Sequence, residues 1–168
     1  MKLSFSTFGW HDYTWEDFCA VAKDGGFAGI EVHNIHEPTL GKKNSIFDPA
    51  RANAAHREMT EAGLSIPCID AWHNIADGAK FEDNCAEIMD YINTAKSLRV
   101  PYVRLGAKDT GSSFADERAA VMRVLEKMLP AAQEGQPGDA GHGEMERIVK
   151  KLKKRMAYVL LDAPAGLG

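Results

Sequence analysis

Residues 25–33 read GGFAGIEVH, and the fold turns on this stretch. Gly25 and Gly26 stop a preceding helix, because glycine adopts the left-handed backbone of a helix C-cap without a Cβ penalty. Gly29 to His33 then reads as a strand. Side chains alternate along a strand, so Ile30 and Val32 share one face and Glu31 and His33 the other. The apolar pair is expected to lie under helices, which leaves an acid and an imidazole on the opposite side. Upstream, Thr14 and Asp17 form a capping signature before Trp15, Phe18, Cys19 and Ala22 at helical spacing, and Lys2 to Thr7 is a short β-rich run. The order is strand, helix, strand.

The same alternation continues downstream. Asp48 and Pro49 suit the N-cap and first turn of a helix that runs to Ala62 and closes at Gly63. Leu64 to Ala71 is a third strand, and Phe81, Cys85, Ile88, Ile92 and Ala95 draw the apolar stripe of a third helix. Pro101 to Leu105 is strand four. A fourth helix follows from about Ala115 to Ala132, with Val121, Met122, Leu125, Met128 and Leu129 inward and Pro130 placed to kink it or end it early. Strand starts at 3, 29, 66 and 101 are separated by 26, 37 and 35 residues, the rhythm of βα units that build a parallel sheet. A closed eight-unit barrel needs at least about 200 residues. These four units make about half of one.

With 168 residues, 45% hydrophobic and 26% charged, the composition is that of a folded domain rather than a disordered or fibrous chain. A net charge of -4 argues against a general affinity for nucleic acid. No stretch approaches a membrane span, and the start, MKLSFSTFGWHDY, lacks a signal-peptide core, so no membrane partner and a cytoplasmic location are expected. Cys19, Cys68 and Cys85 have no C-x-x-C spacing and are expected as small core residues. Residues 134–143, EGQPGDAGHG, read as a linker. Beyond it, Glu144 to Met156 reads as an amphipathic helix with a solvated basic face, and Tyr158 to Leu161 as a last strand ending in Asp162. SSFADE, around Ser112, lacks a nucleophile-elbow context and reads as a helix N-terminus.

Residues 1–133 resemble the sugar phosphate isomerase/epimerase superfamily, the xylose isomerase-like TIM barrels. KLSFSTFGW, GFAGIEVH, EAGLSIPCID and SLRVPYVRLG carry the likeness in that order. The resemblance implies an α/β fold, a partial TIM barrel. It would comprise a (βα)4 half-barrel over 1–133, the linker 134–143, and an extra C-terminal helix and strand over 144–168. It also implies isomerisation or epimerisation of a sugar or polyol, assisted by a divalent metal such as manganese. The family holds that metal on strands five to eight, which these four units do not supply, so the chain is expected to be truncated and inactive alone. MAYVLLDAPAGLG, 156–168, resembles the second-strand motif of Min-type septum-positioning ATPases; no G-K-[ST] loop accompanies it, so no ATPase is implied.

On strand faces, Glu31, His33, Asp70 and Arg104 converge toward strand C-terminal ends, where barrel active sites are built. One reading makes Glu31, His33 and Asp70 catalytic proton carriers. Arg104 and His73 would then bind a sugar or polyol phosphate, with Phe8, Trp10 and Trp72 as apolar walls. The other makes Glu31 and Asp70 pair with Arg104 in a satisfied polar network. His33, Asp70 and His73 are competent metal ligands, but their spacing matches no compact metal signature, and no metal ligands are assigned. His11, His36, His56 and His142 read as solvated. The alternative to an enzyme is a non-catalytic scaffold or ligand-binding module that hides its open sheet edges as a homo-oligomer.

Overall fold

The computed structural model describes residues 2–40, 45–133 and 161–164. Ser4–Ser6 (β1), Gly29–His33 (β2), Ile69–Asn74 (β3) and Tyr102–Gly106 (β4) pair side by side, all parallel and in sequential order. A helix follows each strand: Trp15–Gly25 (α1), Ala52–Glu61 (α2), Phe81–Leu98 (α3) and Phe114–Gln133 (α4). The expected four-unit α/β half-barrel is what forms. The sheet is open, with β1 at one edge.

Local chemistry explains the boundaries. Thr14 and Asp17 exchange the two bonds of a capping box: the Thr14 amide donates to Asp17 Oδ2 at 2.8 Å and the Asp17 amide to Thr14 Oγ1 at 3.3 Å. Gly26, at φ 67°, closes α1 by donating to the carbonyls of Ala22 and Lys23. Ser113 Oγ accepts from the Asp116 amide at 3.2 Å, so SSFADE is a helix start, as expected. Gly29 serves a different need. A Cβ there would lie 3.2 Å from both Pro67 and Ser4, where three strand-forming segments crowd together.

Alternation divides the sheet as predicted. Ile30, Val32, Ile69, Ala71, Val103 and Leu105 are buried on the helix side, with Phe18, Ile88, Tyr91, Val124 and Leu125 packed into the same core. Burial of each such large apolar side chain contributes about 1.5–3 kcal/mol. In α4, Met122 packs only partly buried against this core, and Val124, not singled out by periodicity, is fully enclosed. Among the cysteines, Cys85 lies in the core, Cys19 packs against it, and half-buried Cys68 lies outside that cluster.

Four details depart from the sequence expectations. The third strand starts at Ile69 rather than Leu64, because Pro67 has no N–H for the ladder. Residues 65–68 still run beside β2, bonded through the Ile30 amide to the Ser65 carbonyl at 3.0 Å and the Val32 amide to the Cys68 carbonyl at 3.1 Å. Asp48 caps a 3-10 turn, Pro49–Arg51, and the α-helix begins only at Ala52. Pro130 sits inside α4 without ending it. The last strand is Leu161–Pro164 (β5), and it runs antiparallel beside β4 with Asp162 opposite Arg104. A short apolar run specifies neither its ends nor its direction. The linker 134–143 and the helix 144–156 lie outside the described residues. Among those described, no helix is long and apolar enough to cross a membrane.

Candidate functional site

The strand register builds the site. His33 of β2 is the Cα partner of Asp70 of β3, and Asp70 that of Arg104 of β4, so three polar residues form one row across the sheet. Glu31 sits two residues before His33 on the same face. His33 Nδ1 lies 2.8 Å from Asp70 Oδ2. A carboxylate only accepts, so Nδ1 carries a proton, and in the neutral ring Nε2 keeps the lone pair. Arg104 donates to Asp70 Oδ2 at 2.8 Å and to Glu31 Oε2 at 3.3 Å, with Glu31 Oε1 2.9 Å from its Nη2 in an ion pair, and the Trp72 amide donates to Asp70 Oδ1 at 3.1 Å.

These bonds set the electrostatics. Burial pushes the Asp70 carboxyl up, but hydrogen bonds from Arg104 and His33 outweigh it and hold the group below the usual carboxylate range. The bond to Asp70 raises Arg104 in turn. Two carboxylates against one guanidinium leave the cluster net negative when His33 is neutral. Among the described residues, no buried polar side-chain atom lacks a partner.

The remaining candidates divide. Phe8, 67% exposed, sets its ring edge-on to His33 with centroids 4.7 Å apart, so it stands at the site. Trp10 packs on Tyr13 and Phe5 and lines a cleft that His33 also lines. Trp72 is half exposed, at φ 25°, and its ring lies 4.9 Å from that of His73. His73 is not brought to the site. Alternation turns it to the side of Ile69 and Ala71, where it bonds the Ala71 carbonyl and Glu87 and meets the Tyr91 ring. Burial, above all, pushes the Tyr91 phenol up, and its hydroxyl donates to Asn34 Oδ1 at 3.0 Å.

The sequence reading missed one pair. His11 Nδ1 lies 3.1 Å from Glu37 Oε1, joining the loop after β1 to the loop after β2. Asn34 steadies Glu37 through an Nδ2 bond of 3.1 Å, and Asn34 itself holds φ 56°, a left-handed turn that asparagine tolerates. An Asn-x-x-Glu turn directly after a strand was the available signal.

A divalent metal does not fit here. Among the described residues no group of three or more His, Cys, Asp or Glu side chains is arranged to hold one; Arg104 bridges Glu31 and Asp70, and His33 is bonded to Asp70 directly.

Solved structures share the fold of this chain. The probable 3-DHS dehydratase AsbF of Bacillus anthracis, involved in petrobactin synthesis, superposes with a TM-score of 0.62 at 18% identity over 91% of this chain. IolI, a protein solved with a bound zinc atom, gives 0.62 at 17% identity over 79% of this chain. The fold they share with this chain is a partial α/β barrel. A xylose isomerase domain protein of Planctomyces limnophilus agrees, with a TM-score of 0.50 at 14% identity over 80% of this chain. The partial barrel spans only 60%, 48% and 54% of those three chains. No family model and no curated protein matches the chain.

Proposed function

We propose that this chain supplies the proton-holding, hydroxyl-binding half of a sugar isomerase/epimerase-like site, and that its ligand is a neutral sugar or polyol rather than a phosphate ester. The observation that carries this reading is Arg104 held between Glu31 and Asp70. A guanidinium already neutralised by two carboxylates is a poor anion receptor, since an incoming phosphate must displace one of them and face both. A hydroxyl meets no such penalty. His33, oriented through Nδ1 by Asp70, offers Nε2 as acceptor or base.

The described residues offer a base but no group of three or more side chains arranged to hold a metal that would stabilise an enediolate, and loss of such a stabiliser costs about two to three orders of magnitude in rate. The chain alone is therefore expected to bind without turning over. Calorimetric titration with aldoses, polyols and their phosphates, together with an isomerase assay in manganese, tests both parts. Neutral ligands should bind the wild type and not His33→Ala. Tighter binding of the phosphate esters would overturn the ligand class, and turnover abolished by a chelator would overturn the inactivity. No disulfide joins Cys19, Cys68 and Cys85, which accords with a reducing compartment, the cytoplasm.

A second reading, a self-associating half-barrel without catalysis, draws on the open β1 edge and on Phe8, Trp72 and Tyr102, which are all substantially exposed.

A further inference from the structure

The cleft between the loop after β1 and the loop after β2 has room for about one water molecule. Polar groups converge on it: Thr7, His11, His33, Glu37 and Thr39. Its apolar floor is Trp10, Phe18 and Leu40, the last two buried core residues. Two histidines line this one small space, and each commits Nδ1 to a carboxylate, His33 to Asp70 at 2.8 Å and His11 to Glu37 at 3.1 Å. Each carboxylate is itself braced, Asp70 by Arg104 and the Trp72 amide, Glu37 by Asn34. Both imidazoles thus keep Nε2 uncommitted among the hydrogen bonds the structure forms. Asn34, at φ 56° directly after β2, turns the chain so that Glu37 reaches His11.

We infer that this cleft is a subsite for a single uncharged hydroxyl of the ligand, gripped between His11 and His33. Size and charge argue together. The space matches one oxygen, and a phosphoryl group is several times larger. The Glu37 and Asp70 carboxylates behind the two imidazoles also repel an anion. A hydroxyl donates to one Nε2 lone pair and accepts from the other ring when that ring is an imidazolium whose charge its own carboxylate cancels, so it satisfies both without giving the subsite a net positive charge. His11, well exposed at the rim, becomes the residue that selects a hydroxyl-terminated ligand over a phosphorylated one. This inference deepens the neutral-polyol reading and rests on it.

The test is nitrogen NMR of the full chain with 15N-labelled histidine, titrated with xylitol and, separately at constant pH, with inorganic phosphate. Xylitol is expected to move the Nε2 resonances of His11 and His33 together, along one saturation curve. His11→Ala, an exposed change that removes no core contact, and Glu37→Gln should each weaken xylitol binding about tenfold while the His33 response persists. Inorganic phosphate should leave both resonances in place. A xylitol response at His33 with none at His11 would overturn this inference and leave the neutral-polyol reading standing. No response at either histidine would overturn both. Phosphate that moves both resonances and displaces xylitol would overturn the selection for an uncharged group.

Discussion

Asp70 is where most of the site's energy meets. It accepts from Arg104, His33 and the Trp72 amide while largely buried. Its folded-state pKa is depressed, so the stabilisation it provides is present above the unfolded-chain value of about 3.9 and is lost as pH falls through the lower folded value. Urea unfolding from pH 7 to pH 2 should therefore show stability declining below about pH 4 in the wild type. Asp70→Asn should flatten that decline and cost about 2–3 kcal/mol at pH 7. That is somewhat less than breaking a fully buried pair, because Arg104 keeps Glu31 and some contact with solvent. An unchanged acid limb in the variant would remove Asp70 from this role.

At the scale of elements, the helix ends show how local chemistry sets boundaries. Nothing lies within 4 Å of a Cβ built on Gly26, so Gly26→Ala meets only backbone strain at φ 67°. It should destabilise by about 1–2 kcal/mol without altering the core. Thr14→Ala at the other end of α1 removes the capping box and should cost about 1 kcal/mol. Denaturant midpoints of the two variants and their double mutant check both values, which are expected to add because the ends are a whole helix apart. Strand ends behave less locally. β3 starts late because a proline interrupts a ladder whose other half lies on β2, some 37 residues away in sequence.

For the whole molecule, the decisive feature is an open sheet. The helix side is sealed by apolar packing, while the other side carries the paired charges and exposed Phe8 and Tyr102. Burying such a face favours a second copy. Light scattering over a hundredfold range of concentration should show a concentration-dependent rise in mass, reduced by Tyr102→Glu. A monomer at every concentration would mean that this face is stable in water.

Much of this protein is determined by its sequence alone, because the determinants are short in range. Alternation in GIEVH sorts Ile30 and Val32 from Glu31 and His33, Thr14 and Gly26 bound α1, and the βα spacing implies parallel order. The same alternation, carried one residue past Trp72, would have turned His73 away from the site. Tertiary structure alone decided the partnerships. That His33, Asp70 and Arg104 fall into one row depends on the register between strands, and that His11 finds Glu37 depends on how two loops fold over the strand ends. The direction of β5 is of the same kind. Periodicity is a property of neighbours along the chain and survives in the sequence. Pairing depends on which distant groups minimise the cost of burying charge together, and that cost exists only once the sheet has formed.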